Sequence, residues 1–454
     1  MKGLVNFASG LSCIIGTFAI YSAAQKHFFG STQRDVYLSS VRHGQSQDSD
    51  EQSVLLNDPT VQTKWGMTKT QVSRAWEVTQ GSKDIWVAVC DTGVDENHKD
   101  IRSNLWNNPG EIGKDSRGND KASNGVDDDR NGYTDDVHGW NFVSNNNDLT
   151  DNHGHGTHIA GIIGATGGNN FGITGVAPHV SLMVLKYYDP KAPGANNLKN
   201  TIECFRYATK MGAHIINYSG GGVEYSQEEY EAVKAANDKG ILFIAAAGNE
   251  RSNSDDKDKH YYPADYELPN IISVTAVNRE STSVLASSNY GVRTVDLAAP
   301  GENIYSTMPG GGFGYMTGTS QATAFVTGVA SLIMAHKRDF DYTEVKKYIL
   351  RNGDEYATLL SKTGTAKLLN SYKALASLDR NVSANGTVAT NTSTMGLRSF
   401  ASNQDLKDPK LNTSAMNNTA DRTEEPAESL AQFSRQFLKA IEESAEQPAA
   451  RPNL

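Results

Sequence analysis

The chain has 454 residues and a formal net charge of −10, with 21% charged and 38% hydrophobic residues. This length accommodates one large α/β domain with extensions. The negative charge, with no basic cluster, argues against nucleic acid as a partner, and three cysteines are too few for a disulfide framework.

The first residues predict export. A basic start is followed by an apolar stretch that ends in the small residues Ser22, Ala23 and Ala24. This order is typical of a signal peptide, here residues 1–24. An uncleaved N-terminal membrane anchor is the alternative that these residues leave open. The sequence therefore predicts a secreted or periplasmic protein, with membrane contact only if the anchor is retained.

Apolar runs alternate with helical patterns along the following part of the chain. The runs that predict buried strands are residues 86–90, 180–187, 213–218, 241–247 and 271–277. Helical patterns lie between them at 201–211 and 227–239. Strands separated by helices predict right-handed βαβ units and a parallel sheet, with a functional site at the carboxyl ends of the strands.

Two cysteines would remain after removal of a signal peptide. Cys90 lies in the first predicted strand and Cys204 in the first of these predicted helices. Both positions suit small apolar side chains. We interpret them as separate core residues and not as a disulfide.

Three residues in different motifs predict nucleophilic catalysis. Asp91 ends the first predicted strand at a glycine turn, His155 opens a predicted helix, and Ser320 begins an apolar helix. A serine hydroxyl is a poor nucleophile near neutral pH, so it needs a base within hydrogen-bond reach and a third group that orients the base. The three residues supply these roles if the fold brings them together.

Four motifs occur in a fixed order along the chain. They are DTGVD (91–95), HGTHIAG (155–161), AAAGN (245–249) and GTSQATA (318–324). On these motifs the sequence resembles the subtilisin-like serine protease family, the subtilases, from about residue 58 to residue 377. The resemblance implies a three-layer α/β/α fold with a mainly parallel central sheet. It also implies a monomeric serine endopeptidase that cleaves proteins or peptides through an acyl-enzyme and needs no cofactor for catalysis.

The resemblance also assigns residues around the nucleophile. It implies that the Asn249 side-chain amide and the Ser320 backbone N–H stabilise the oxyanion. The implied walls of the primary specificity pocket are Ser219, Gly220, Gly221, Ala246, Ala247 and Gly248, which would leave it roomy and uncharged. Tyr261 is expected at its base, where it would shorten the pocket and favour small or medium apolar residues. Outward packing of Tyr261 is the alternative.

An acidic segment at 115–136 predicts a calcium site. The residues at positions one, three, five and nine of a calcium loop are Asp127, Asp129, Asn131 and Asp135. The pattern is incomplete, because His138 stands at position twelve, where a bidentate glutamate is expected. We expect a structural calcium on these four residues, with a solvated acidic loop as the alternative.

The chain divides into segments of different composition. A short polar prosegment at 25–57 follows the signal peptide or anchor and precedes a peptidase domain at 58–377. Residues 378–426 are rich in Asn, Ser, Thr and Ala and are predicted to be a disordered linker. An amphipathic helix is predicted at 427–446, followed by a tail at 447–454.

Two positions depart from the family pattern. Ala324 stands where relatives generally carry proline, and Phe325 stands where histidine is common. Proline fixes a backbone dihedral and removes an N–H, so Ala324 allows a different nucleophile turn and raises a minor hypothesis of peptide ligation.

A function of a different class is the alternative to a protease. In that case the chain would be a catalytically weakened relative with the subtilase fold that serves as a peptide-binding or adhesion module.

Overall fold

The computed structural model describes residues 57–59, 64–192 and 194–378. The predicted signal peptide or anchor, C-terminal helix and tail, and nearly all of the predicted prosegment and linker, therefore lie outside the described residues. None of the helices in the described ranges is long and apolar enough to cross a bilayer.

Helices and strands alternate through the described chain. The helices are α1 (Trp65–Lys69), α2 (Val72–Ala75), α3 (His155–Gly164), α4 (Asn197–Met211), α5 (Gln227–Asp238), α6 (Thr319–His336), α7 (Tyr342–Arg351) and α8 (Ser371–Ala376). The longer strands are β1 (Gly81–Asp91), β3 (His179–Lys186), β4 (Ile215–Tyr218), β5 (Leu242–Ala246), β6 (Ile271–Val277) and β7 (Leu297–Pro300). The remaining strands are β2 (Gly139–Asn141), β8 (Ile304–Met308), β9 (Gly312–Met316), β10 (Asp354–Glu355) and β11 (Lys367–Leu368).

One nine-stranded sheet forms the centre of the fold. Its strand order is β10-β11-β7-β6-β5-β4-β1-β3-β2, and β8 and β9 form a separate hairpin. The pairs within the large sheet are parallel except β10 with β11. The predicted three-layer α/β/α fold with a mainly parallel sheet is therefore confirmed.

The sheet has a core on each face because successive strand residues point to opposite sides. In β1, Val87 and Val89 join the core that contains α6, whereas Ala88 and Cys90 join the core that contains residues of α4 and α5. Cys90 and Cys204 are both buried in this second core and are not joined by a disulfide. Apolar residues on both faces explain why β1 reads as a continuous apolar run.

Helix α6 is buried from Thr319 to Met334 and packs on β1, β4, β5, β6 and β7. On its other side, α6 approaches the loop between α3 and β3 so closely that a Cβ added at Gly328 would overlap Val176. A buried hydrogen bond of 2.7 Å from Thr327 Oγ1 to Asn217 Oδ1 joins α6 to β4. The helix that begins at Thr319 is thereby held against the strands at the centre of the sheet.

Several elements extend beyond what apolar runs indicated. Strand β1 begins at Gly81, before the apolar run starts. Its first residues are polar and at least partly exposed, so the apolar run alone did not indicate them. The short strands β2, β10 and β11 contain two or three residues each, too few to give a periodic signal. The hairpin of β8 and β9 also lies outside the predicted strands.

Because α4 packs its buried side on one face of the sheet, truncation of a buried and of an exposed side chain of α4 should change the free energy of unfolding by very different amounts. Phe205 is fully buried, whereas Leu198 on the same helix is 46% exposed. Phe205→Ala should lower the free energy of unfolding by about 3–5 kcal/mol, because it leaves a cavity between α4 and the sheet. Leu198→Ala should change it by less than about 0.5 kcal/mol. Chemical denaturation measures both, and equal losses would contradict the assigned core.

Candidate active site

Candidate residues from four parts of the chain meet at the carboxyl edge of the sheet. Asp91 is the last residue of β1, and Ser219 directly follows β4. Asn249 lies shortly after β5, and Ser320 is the second residue of α6. Because β1, β4 and β5 are adjacent and parallel, their carboxyl ends lie side by side.

Asp91 and His155 are in direct contact. The distance between His155 Nδ1 and Asp91 Oδ1 is 2.7 Å, and the same oxygen accepts a hydrogen bond of 2.8 Å from the Thr92 backbone N–H. The Asp91 side chain is buried and the His155 side chain is 22% exposed. The contact fixes the ring by Nδ1, so Nε2 is left for a substrate or a nucleophile.

A second carboxylate holds the start of α3, and sequence reasoning missed it. Asp151 accepts hydrogen bonds from the backbone N–H groups of His153, Gly154 and Thr157 at 3.0, 2.7 and 2.9 Å. The Thr92 hydroxyl donates to the Asp151 carboxylate at 2.8 Å. An acidic residue shortly before a helix was the available sequence signal, since carboxylates favour helix N-termini.

Burial and charge act in opposite directions on His155. Burial alone would lower the pKa of His155, but the negative charge of Asp91 and the hydrogen bond to it raise this pKa above its ordinary value. The folded state therefore favours the imidazolium. This contribution to stability is complete below the ordinary histidine pKa of about 6.5 and is lost as the pH rises through the raised value.

Ser320 is buried beside β4. Its hydroxyl donates a hydrogen bond of 3.0 Å to the backbone carbonyl of Ser219. Within the described residues no hydrogen bond joins Ser320 to His155. Such bonds are often long or unformed before substrate binds.

Asn249 is held next to the nucleophile turn. Its Oδ1 accepts a hydrogen bond of 3.1 Å from the Thr319 backbone N–H and one of 3.3 Å from the Thr319 hydroxyl. The amide is therefore oriented with its Nδ2 available, and Asn249 is exposed to solvent. Ser320 follows Thr319 in the first turn of α6, where backbone N–H groups have no intrahelical acceptor. Thr319 was not singled out from the sequence.

The predicted pocket residues lie on two segments, one on each side of Ser320. One segment continues β4 through Ser219, Gly220 and Gly221, and the other continues β5 through Ala246, Ala247 and Gly248. Tyr261 lies between them, since a Cβ added at Gly221 would overlap its Cε1 and one at Gly248 would lie 2.9 Å from its Cγ. The Tyr261 ring therefore lies between the two segments and packs on a glycine of each.

The structure shows a cluster of carboxylates in and before the acidic segment that shares one residue with the predicted calcium ligands. Glu111, Asp129 and Asp136 have carboxylate oxygens within 4.8 Å of one another. Of the four predicted ligands, Asp129 alone belongs to this group. Asp127 and Asp135 accept backbone N–H groups of their own loop, from Asn131 and Gly132 and from Gly125, and Asp129 likewise accepts the Asn131 N–H. Their carboxylates stabilise turns, which a ligand-spacing pattern does not distinguish from metal binding.

The family departures are accommodated locally. Ala324 and Phe325 are buried in α6, and a Cβ added at Gly66 would lie 2.5 Å from the Phe325 ring. Phe325 therefore packs directly on the backbone of α1. The larger apolar side chain is accepted because its neighbour is a glycine.

The chain is similar to known proteins over most of its described part. The model of the Subtilase family matches residues 82–404. A thermophilic serine proteinase of Bacillus sp. (strain AK1) is 34% identical over 316 residues, which are 69% of this chain and 67% of that protein. Thermitase of Thermoactinomyces vulgaris is 33% identical over 324 residues, which are 70% of this chain and 98% of that protein.

A solved protease from Pseudoalteromonas arctica PAMC 21717 shares the fold, with a TM-score of 0.57 and 22% identity, over 71% of this chain and 98% of that one. Together the family match and the two relatives define a serine protease, a hydrolase that acts on proteins or peptides. The chain belongs to the subtilase family.

The contact with Asp91 predicts how His155 titrates. We expect the pKa of His155 to lie above the ordinary histidine value, and Asp91→Asn to lower it, because the variant removes the negative charge. NMR with isotope-labelled histidine measures both values, and a His155→Gln variant identifies the resonance. An unchanged pKa in Asp91→Asn would contradict the electrostatic account.

Proposed function

We propose that this subtilase is an endopeptidase in which Asp91, His155 and Ser320 form the catalytic triad. The observation that carries the proposal is the 2.7 Å contact between His155 Nδ1 and Asp91 Oδ1 beside the Ser320 turn. Family membership supports hydrolysis over the peptide-binding alternative. Because Asp91 engages His155 Nδ1, the proposal assigns the proton transfer to His155 Nε2.

In the first step, the Ser320 hydroxyl attacks the carbonyl carbon of the peptide bond. It exchanges its hydrogen bond with Ser219 for one with His155 Nε2, which takes the proton. Asp91 holds Nδ1–H and stabilises the imidazolium. His155 then gives the proton to the leaving amine, and water releases the acyl group by the same route.

The negative charge on the substrate oxygen requires two donors. We assign these to the Asn249 side-chain Nδ2 and the Ser320 backbone N–H. The hydrogen bonds from Thr319 support this assignment, because they occupy Asn249 Oδ1 and orient the amide before substrate binds. Donors fixed in advance avoid the cost of reorganisation during the reaction.

Three variants test the proposed roles. Ser320→Ala should abolish cleavage of casein and of a mixed peptide library. Asn249→Ala should lower kcat by about 10²–10³-fold with little change in KM, because the lost donor acts mainly in the transition state. Asn107→Ala, at an exposed asparagine outside the site, is the matched control. Unchanged turnover in Asn249→Ala would remove its assignment, and activity in Ser320→Ala would remove the mechanism.

We also propose a structural calcium at Glu111, Asp129 and Asp136. The supporting observation is that Glu111 is buried and its Oε2 has no hydrogen-bond partner within the described residues. Burial also raises the pKa of Asp136, and the nearby charge of Asp129 acts in the same direction. A divalent cation would supply a partner for the orphaned oxygen and offset the repulsion among the carboxylates. The role is structural and takes no part in hydrolysis.

Calcium removal distinguishes this set from the one predicted by loop spacing. With free calcium about 100-fold above its Kd, the free energy of unfolding should rise by about 2.7 kcal/mol. We expect a chelator to lower the Tm of the wild type, Glu111→Gln to abolish the difference, and Asp127→Asn to retain it. A Tm unmoved by chelator would reject calcium. Loss of the calcium effect in Asp127→Asn would favour the spacing-based ligands.

Export remains a proposal that rests on the sequence of residues 1–24. The apolar core and small-residue end of this segment support delivery across a membrane, either as a cleaved signal or as an anchor. The protease would then meet its protein or peptide substrates outside the cytoplasm.

A further inference from the structure

Gln321 is a buried polar residue that directly follows the proposed nucleophile. It is the third residue of α6 and is only 1% exposed. Among the residues that the structure describes, no hydrogen bond involves its side chain. A buried amide without a partner destabilises a protein, whereas an apolar side chain of the same length does not. Gln321 therefore keeps a polar group next to Ser320 for which the described fold supplies no partner.

The start of α6 does not explain Gln321. A glutamine at the third position of a helix commonly accepts a hydrogen bond from the backbone N–H of the residue that caps the helix. That residue is Gly318, and its N–H donates to the Gly301 carbonyl at 2.9 Å. The usual partner of such a glutamine is therefore already engaged, and the Gln321 amide is left for another contact.

The Gln321 amide lies close to the Asn249 amide. A Cβ added at Gly318 would lie 3.3 Å from Gln321 Oε1, and 3.5 and 3.6 Å from Asn249 Oδ1 and Nδ2. The two amides therefore meet on the same side of Gly318. Because this residue is a glycine, it puts no side chain between them.

One end of the Asn249 amide is fixed, and the other end has a spare hydrogen. The Thr319 backbone N–H donates to Asn249 Oδ1 at 3.1 Å. Asn249 Nδ2 carries two hydrogens, and the oxyanion takes one of them in the proposed reaction. An acceptor for the second hydrogen would hold the amide from both ends before charge develops on the substrate. Gln321 Oε1 is an acceptor on this side of Gly318, and it is neutral, so it adds no negative charge next to the oxyanion.

We propose that Gln321 is a positioning residue for the oxyanion donor. Its Oε1 accepts the Asn249 Nδ2 hydrogen that the oxyanion does not take, directly or through one water molecule, when substrate is bound. Hydrogen bonds at catalytic sites are often long before substrate binds and tighten in the complex. The inference rests on the proposed function, because it takes Asn249 as the oxyanion donor. Gln321 itself acts through Asn249 and does not contact the substrate.

Replacement of Gln321 by methionine tests the activity that this contact supports. Gln321→Met keeps the length of the side chain and removes the amide. It should lower kcat for peptide cleavage by about tenfold with little change in KM, because the lost contact acts through a group that works mainly in the transition state. A fluorogenic peptide that the wild type cleaves gives both constants.

The stability of the same variant separates a positioning role from a structural one. Gln321→Met should have a Tm equal to or above that of the wild type, because it removes a buried amide that has no partner in the described fold. Ser331→Ala is the matched control, since Ser331 is also 1% exposed in α6 and donates to the Thr327 carbonyl at 2.9 Å. It should leave kcat unchanged. A lower Tm with unchanged kcat in Gln321→Met would make Gln321 a structural residue and overturn the inference.

A double-mutant cycle tests whether Gln321 acts through Asn249. In the Asn249→Ala background, Gln321→Met should change kcat by less than about twofold, because the amide that Gln321 holds is absent. A further tenfold loss of kcat in this background would show that Gln321 acts independently of Asn249, and would overturn the inference.

The outcomes distinguish this inference from the function on which it rests. Wild-type kcat in Gln321→Met, together with a reduced kcat in Asn249→Ala, would overturn the role of Gln321 alone. Unchanged turnover in Asn249→Ala would reject Asn249 as the donor, and the inference with it. If the methionine variant does not fold, Gln321→Ala takes its place in the kinetic measurements.

Discussion

The parallel pairing of β1, β4 and β5 is the constraint on which the site depends. It brings the carboxyl ends of three strands to one edge, so that Asp91, Ser219 and Asn249 become neighbours. Helix α6 then packs across the same strands and delivers Ser320 to that edge. Few of the contacts between these residues are local in sequence, so the site exists only when the sheet and the helix have formed.

Backbone hydrogen bonds supply much of the precision at this edge. Asp151 accepts backbone N–H groups from the turn before α3 and from its first residues. The Thr319 backbone N–H donates to Asn249 Oδ1 and so orients the amide of Asn249. Each of these contacts fixes a group that does not itself move during the proposed reaction. Beside the predicted pocket, two backbone hydrogen bonds between Tyr262 and Gly222 likewise hold the segment on which Tyr261 packs.

The fold could be predicted from the sequence because its signals are long and redundant. Five apolar runs of the sheet interior appear as strands, and the four motifs lie at the ends of strands or the starts of helices. The polar beginning of β1 and the strands of two or three residues could not be predicted, because burial there depends on distant neighbours. For the site, the sequence indicated Asp91, His155, Ser320 and Asn249 as candidates, and the structure brings these side chains to one edge of the sheet.

The acidic segment shows the limit of spacing as a signal. Asp127 and Asp135 have the positions of calcium ligands and accept backbone N–H groups of their loop, but Asp129 accepts one as well, so these bonds do not separate the two ligand sets. Glu111 comes from before the acidic segment, so no local pattern connects it to Asp129. In the pocket, the resemblance indicated Tyr261 and both glycines, but the packing of the Tyr261 ring on Gly221 and on Gly248 is visible only in the structure. Side chains that compete for a hydrogen bond or a volume decide such cases.

Reaction with a serine-directed phosphonate, followed by mass spectrometry, tests the central claim most directly. The account predicts that the folded wild type is labelled at Ser320, and that His155→Gln is labelled at least about a thousandfold more slowly, because the base is lost. A folded wild type that is not labelled at Ser320, or a His155→Gln variant labelled at the same rate, would contradict the claim that Asp91 and His155 activate this serine.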